Sequence, residues 1–292
     1  MPDPIEILIA MAAAGGTTAL IVLLFGWPWR APCARRSALG WALGIGVGFW
    51  LGAWLLGVRP KWPPIVDQDR LLWVIVPAVT LLEMFIALFK IGSWAWLGRV
   101  LVAGAVAPIV LRGSTYFDEW TLGTALTILG GLGSALVGAW WTLTRGQNRS
   151  SSLALMIACL GGGATIMLSG YETGGKLTLV VGATLVAAVL ASFLLSGTIR
   201  SNGGVGVAVV LFAALLIAGR FFGSLTTLNA VILFATPLLS WPVELLPFRP
   251  WVRGALRVLI VTVPVAFVCW QAAEAFKINS RTPSNPYSDY GM

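Results

Sequence analysis

The sequence predicts an all-α integral membrane protein, a polytopic bundle of about ten transmembrane helices with little chain outside the bilayer. Apolar residues make up 58% of the 292 residues, whereas charged residues make up only 10%. Soluble domains carry roughly 25% charged residues, so this chain lacks the charge to cover a water-facing surface. The apolar residues are also grouped into runs of about twenty, the length that a helix needs to cross the hydrocarbon core.

Ten apolar runs, bounded by charged or turn-forming residues, follow one another along the chain. The first has no basic segment before it and no small-residue cleavage motif after it, so we interpret it as a retained span rather than a signal peptide. Arg99 interrupts the fourth run, and Pro237, Pro242 and Pro247 predict a kinked or interfacial end for the ninth. The runs are Ile5–Trp27, Leu39–Val58, Leu71–Phe89, Trp94–Leu111, Trp120–Leu143, Ser152–Gly170, Leu177–Ser196, Val205–Phe222, Leu228–Leu245 and Gly254–Trp270.

Short connections between the runs leave no room for a separate soluble domain. We therefore expect a single transmembrane domain over residues 1–278, which divides into five-span halves at 1–146 and 147–278. Residues 279–292 are rich in Ser, Pro, Asn and Gly, and this composition predicts a disordered tail.

The distribution of lysine and arginine predicts the orientation in a cell membrane. With the N-terminus outside, eleven cations fall on the inner side and eight on the outer side, while most carboxylates fall outside. Both termini are then extracytoplasmic. Most tryptophans, Trp96 and Trp140 among them, lie near predicted span ends, where an indole ring favours the headgroup layer.

The composition also excludes several classes of function. The chain contains no histidine, which excludes His-ligated haem, His-containing zinc sites and Ser-His or Cys-His catalysis. Cys33, Cys159 and Cys269 lie far apart and form no C-x-x-C pair. The cations, which give a net charge of +8, are scattered rather than clustered, so we expect no nucleic-acid partner. No cofactor, catalytic or metal-binding motif is predicted.

A glycine stripe is the clearest local pattern, with Gly40, Gly44, Gly48 and Gly52 four residues apart in the second span. Such a stripe allows another helix to approach closely. It would serve either a dimer interface or packing within the bundle, and we favour packing within the bundle. The fifth span carries a shorter version in Gly130, Ser134 and Gly138.

Two glycine runs lie at corresponding places in the two halves. Gly15 and Gly16 lie midway through the first span, and Gly161, Gly162 and Gly163 lie midway through the sixth. Inverted-repeat transporters place their substrate sites at interrupted helices of this kind. These glycines are therefore candidates for broken helices, although glycine is also common in ordinary membrane helices.

Glu83 is an ionisable residue inside the third span and shares a helix face with Lys90. A carboxyl group at membrane depth is costly to bury and by default indicates function. One interpretation is proton coupling, in which case Glu83→Gln should fold normally and abolish proton-linked transport. The other is a packing role, with the glutamate neutral or paired with an arginine of a neighbouring helix.

Acidic pairs precede the third and fifth spans, namely Asp67 with Asp69 and Asp118 with Glu119. Two such pairs at one face would suit a divalent metal and an enzyme that acts on a lipid-linked substrate. We favour ordinary helix N-capping by these acids.

Three functions agree with these features. The first is a small secondary transporter of a small molecule, which is comparable in length and span number to ten-helix drug/metabolite-type carriers although no motif of that family is present. The second is a membrane subunit or assembly factor, with a second copy or other membrane subunits as partners. The third is the lipid-linked enzyme.

Overall fold

The computed structural model describes residues 4–26, 34–89, 92–145, 149–195, 201–244, 247 and 250–281. In these ranges the chain forms ten successive helical segments. Two short helices accompany them, Thr115–Glu119 before the fifth segment and Ser240–Glu244 after the ninth. The segments are α1 Pro4–Gly26, α2 Ala34–Leu55, α3 Asp67–Phe89, α4 Gly92–Leu111, α5 Leu122–Arg145, α6 Arg149–Leu168, α7 Glu172–Leu194, α8 Asn202–Phe222, α9 Thr227–Ala235 and α10 Pro250–Arg281.

Nine helices within the described ranges are long and apolar enough to cross a membrane, which confirms a multi-pass α-helical bundle. The remaining apolar stretch, Thr227–Val243, is shorter, and it changes from α9 to a 3₁₀ turn at Thr236–Leu239. That turn contains Pro237, which cannot donate a backbone hydrogen bond. The irregular end predicted for the ninth span is therefore confirmed.

The last helix is longer than the sequence predicts. It continues to Arg281, whereas the predicted span ends at Trp270. Residues 279–281 of the expected tail are therefore helical, and residues 282–292 lie outside the described ranges.

A wider helical turn marks the start of α3. Residues Leu71–Ile75 are π-helical, and regular α-helix resumes at Val76. Pro77 has no N–H to bond the carbonyl group of Trp73 four residues earlier, so the regular hydrogen-bond ladder cannot form there.

Helix α8 is the centre of the bundle. Every residue from Gly203 to Gly219 is buried, and the helix packs against α2 to α7 and α9. This stretch has no charged residue and is apolar on all sides, as expected of a helix enclosed by other helices.

Helices α1, α2, α6 and α7 form a glycine-packed group at one side of α8. A methyl group added at Gly48 would lie 2.7 Å from the Ala14 carbonyl oxygen, and one at Gly52 would lie 3.0 Å from the Ala14 Cβ. The Thr18 hydroxyl donates to the carbonyl oxygens of Ala14 and Gly44 at 2.8 and 2.9 Å. The stripe of α2 therefore packs within the bundle.

The broken helices predicted at the two glycine runs are wrong. Helix α1 continues through Gly15 and Gly16, and α6 continues through Gly161, Gly162 and Gly163. A methyl group at Gly15 would lie 3.3 Å from Ala187 of α7, and one at Gly163 would lie 2.8 Å from Leu179 of α7. These two glycines allow close helix packing and leave the backbone ladder intact.

Candidate functional site

Glu83 lies on α3 and is almost fully enclosed by protein, with 2% of its surface exposed. Both carboxylate oxygens accept hydrogen bonds from Arg99 of α4, from Nε to Oε1 at 2.8 Å and from Nη2 to Oε2 at 3.0 Å. This paired geometry matches the planar guanidinium to the carboxylate and is the strongest form of ion pair between side chains. Glu83 therefore has the arginine partner that the packing interpretation describes.

Three further residues complete what we call the Glu83 cluster. Trp140 of α5 donates its indole N–H to Glu83 Oε1 at 3.1 Å. The Arg99 guanidinium lies 4.8 Å from the ring centre of Trp96 and 5.6 Å from that of Trp140. Gly206 of α8 covers the carboxylate, because a methyl group there would lie 2.6 Å from Glu83 Oε1.

The cluster lies near one end of the bundle, called the Glu83 end below. Glu83 is six residues before the end of α3, and Arg99 is seven residues after the start of α4. At a rise of about 1.5 Å per residue, both lie roughly 10 Å inside the helix ends. Lys90, the other candidate for ion coupling, lies outside the described residues.

Charge neutralisation is the immediate effect of this geometry. Glu83 and Arg99 form a net-neutral pair at a depth where a lone charge would be costly. Protonation of Glu83, or movement of its carboxylate away from Arg99, would leave the Arg99 cation without its counter-ion. The cluster therefore joins α3, α4, α5 and α8 at one depth of the bundle.

A cavity of about 560 Å³ lies between α4, α5, α8 and α9, further from the Glu83 end than the cluster. This volume is within the range of roughly 300–1,000 Å³ that is usual for small-molecule sites. Its wall begins one helical turn beyond the cluster, at Ala103 of α4 and Leu136 of α5. Most of the wall is aliphatic, including Ala213 and Leu216 of α8 and Val231 of α9.

Polar groups of the cavity are confined to the opposite end, called the Arg220 end below. They belong to Tyr116, Trp120, Arg220 and Thr227. Arg220 donates from Nε to the Thr227 hydroxyl at 2.7 Å, and its guanidinium lies 5.7 Å from the ring centre of Phe221. Tyr116 and Trp120 each make an edge-to-face contact with Phe221, at centroid distances of 5.6 and 5.7 Å.

The carboxylates at the start of α3 are engaged in structural hydrogen bonds. Asp67 accepts a hydrogen bond from the Tyr171 hydroxyl, and Asp69 accepts one from the Lys61 backbone N–H at 3.0 Å. Burial, together with the negative charge of Asp67, raises the pKa of Tyr171 well above its usual range. The described residues contain no group of three or more potential metal ligands, and the Asp118 side chain lies outside the description.

Two members of the cluster were assigned other roles from the sequence. Arg99 was treated as a charge that interrupts the fourth run, and Trp140 as an interfacial anchor, yet Trp140 has no exposed surface. The short connection between the third and fourth spans makes them antiparallel neighbours. Glu83 and Arg99 are then at similar depth, which is a signal that could have identified the pair.

No protein-family model matches the chain, and no curated protein is significantly similar to it.

Proposed function

We propose that the protein is a small secondary carrier whose substrate occupies the cavity between α4, α5, α8 and α9. The observation that carries this proposal is the alignment of two features along the same helices. A substrate-sized cavity lies one helical turn from a buried charge cluster on its Glu83 side. Carriers need a central site and a barrier that forms and breaks at each side.

The Glu83 cluster would act as the barrier at its end. When the cluster is intact, α3, α4, α5 and α8 are joined and the cavity is separated from that end. Loss of the charge on Glu83 would free Arg99 and weaken these connections, so proton binding there offers one route for coupling. In this proposal the helices rearrange around the cluster, and no helix break is needed.

The membrane orientation belongs to the same proposal. With both termini extracytoplasmic, the Glu83 end faces the cytoplasm and the cavity is nearer the outside. Cys33, which lies outside the described residues, then belongs to a cytoplasmic loop. An impermeant maleimide should label Cys33 only after cells are opened, and labelling of intact cells would reverse the orientation.

Spin-label distances in lipid nanodiscs test the carrier proposal without knowledge of the substrate. One pair of labels on Leu97 of α4 and Leu194 of α7 reports on the Glu83 end, where both side chains are exposed. A second pair on Leu55 of α2 and Leu122 of α5 reports on the Arg220 end. The native cysteines are replaced in all samples.

A carrier should show two distance populations at each end, with opposite changes when the cluster is removed by Glu83→Gln combined with Arg99→Gln. The double substitution is used because it leaves no unpaired charge. A single unchanged distance at both ends in both proteins would contradict alternating access.

A second candidate function is a membrane subunit that associates through α5. A methyl group added at Gly130 or Gly138 would meet no atom of the described residues of other helices within 4 Å, and Ser134 between them is exposed. If this face holds a partner, Gly130→Leu should abolish association between differently labelled copies in a bilayer. The carrier proposal expects no such change.

The lipid-linked enzyme receives no support, because Asp67 and Asp69 already accept hydrogen bonds from the Tyr171 hydroxyl and the Lys61 backbone N–H.

A further inference from the structure

Arg220 is the charged residue among those that line the cavity, and its environment is unusual for a cation at a membrane protein surface. The guanidinium has five N–H groups, and one of them is used by the Thr227 hydroxyl. No described carboxylate forms an ion pair with Arg220. Its side chain is held by Thr227 on one side and by Phe221 on the other.

The rest of the cavity has the opposite chemistry. From Ala103, Leu132 and Leu136 on one wall to Leu216 and Phe234 on the other, the lining is aliphatic or aromatic. Such a wall cannot satisfy the hydrogen bonds of a sugar, nucleotide or amino acid, because each buried polar group would lose its water without a replacement. An apolar chain, in contrast, has no hydrogen bonds to water that it would lose on entering the cavity.

The cavity also reaches the lipid-facing surface between α5 and α9. Ala135 and Val231 line the cavity from these two helices, and both are exposed. Helix α5 packs on α4 and α8 and touches the 3₁₀ turn Thr236–Leu239, whereas α9 packs on α6, α8 and α10, so α5 and α9 separate on the Arg220 side of that turn. A molecule dissolved in the bilayer would have a direct route into the cavity.

We infer that the cavity binds a single-chain anionic amphiphile, with its oxyanion headgroup on the Arg220 guanidinium and its apolar chain between α5, α8 and α9. The inference rests on the proposed function, since it names the substrate class of the same site. A carboxylate or a phosphate monoester would satisfy the unused N–H groups of Arg220 in the paired geometry that guanidinium favours. Tyr116, Trp120 and Phe221 would surround the junction between headgroup and chain, as aromatic rings do at a membrane interface.

Photoaffinity labelling of the full chain in nanodiscs tests this inference. The probes are a long-chain carboxylic acid with a diazirine in its chain, the methyl ester of that acid, and the matching alkyl phosphate. Labelled peptides are mapped by mass spectrometry. The acid or the phosphate should label cavity-lining residues of α5, α8 and α9, and whichever of the two labels more strongly identifies the headgroup.

Arg220→Gln should lower labelling by the anionic probe by a factor on the order of ten and leave labelling by the ester unchanged. Arg220→Lys keeps the charge but cannot donate two parallel hydrogen bonds to an oxyanion, so labelling by the anionic probe should fall by an intermediate amount. Arg112→Gln is the matched control, because Arg112 follows α4 at the same end, is exposed and does not line the cavity. Its labelling should equal that of the parent.

Equal labelling of the cavity by acid and ester, with no effect of Arg220→Gln, would overturn the inference and leave the cavity as a carrier site. Equal losses in Arg220→Gln and Arg112→Gln would also overturn it, since Arg220 would then act only as a surface charge. Absence of labelling in the cavity by any probe would overturn it as well. The spin-label distances decide the carrier proposal separately in each case.

Discussion

The glycine stripe of α2 and the glycines on one face of α5, beside the cavity, place the same small residue in opposite surroundings. In α2, Gly48 lies so close to α1 that an added methyl group would meet the Ala14 carbonyl oxygen at 2.7 Å. In α5, a methyl group added at Gly130 or Gly138 would meet no described atom of another helix within 4 Å. The difference teaches that glycine spacing indicates the possibility of close approach, whereas a neighbouring helix decides whether that approach occurs.

The two regions also differ in what connects their helices. The glycine-packed group is joined by close backbone approach, since Gly44 and Gly48 of α2 lie against carbonyl oxygens of α1 and Gly15 of α1 lies against the Ala183 carbonyl oxygen of α7. The cavity helices surround a space of about 560 Å³, and three of them, α4, α5 and α8, are connected at one end by the Glu83 cluster. We therefore expect the first region to be the rigid part of the molecule and the second to be the part that moves.

The largest effect is expected from breaking the cluster at one partner. Glu83→Gln would leave the Arg99 cation, which is only 8% exposed, without a counter-ion. Removal of one partner from a buried pair costs about 3–5 kcal/mol. Thermal unfolding in detergent should show this loss, and the combined Glu83→Gln and Arg99→Gln variant should recover much of it.

That prediction replaces the expectation that Glu83→Gln folds normally, which held only for an unpaired glutamate. Glu274→Gln is a suitable control, because Glu274 pairs with Lys277 at the surface and should contribute little. If the single and double variants are equally unstable, the ion pair is not the source of the loss.

A direct comparison of the two regions comes from the same substitution in each. Gly48→Leu should destabilise the protein by about 1–3 kcal/mol or more, because the side chain has no space against α1. Gly130→Leu should change the unfolding temperature very little, since its side chain would enter open space. Similar losses for both variants would remove the distinction between the regions.

A smaller effect is expected at the connection between α3 and α7. Tyr171→Phe removes the hydroxyl that bonds to Asp67 and should cost about 1–2 kcal/mol. The folded state raises the pKa of Tyr171, so this stabilisation is fully present below the usual tyrosine pKa of about 10 and is lost as the pH rises from there through the higher pKa of the folded protein. Unfolding followed between neutral pH and mild alkali should show a constant difference between variant and parent, and a difference that disappears near neutral pH would contradict this assignment.

Much of the fold could be predicted from the sequence, because bilayer thickness imposes a length and a composition on each span. The predicted and observed starts of the fourth span, Trp94 and Gly92, differ by two residues, and Leu111 ends both. Helix α8 could also be identified as central from its uninterrupted apolar character. Predicting the end of α10 was harder, because helix continues beyond the apolar run to Arg281.

Less of the candidate site could be predicted from the sequence. Glu83 was identified because a carboxyl group is costly to bury at membrane depth. An arginine partner on a neighbouring helix was one of two interpretations, but the sequence did not indicate which arginine it would be. The cavity could not be predicted, because it arises where α5 and α9 diverge, and no single segment encodes that divergence. The glycine runs at Gly15 and Gly161 were only candidates for breaks, since sequence alone does not distinguish a broken helix from a closely packed one.

Amide hydrogen exchange in nanodiscs tests the contrast between the regions most directly. Peptides of α4, α5 and α9 should exchange sooner than those of α1, α2 and α7, because helices that alternate around a cavity expose their amides to water. Removing both charges of the cluster, with Glu83→Gln and Arg99→Gln together, should accelerate exchange in α4 and α5 and leave α1 and α2 unchanged. Uniform protection across both regions, unaffected by the loss of the cluster, would contradict the account.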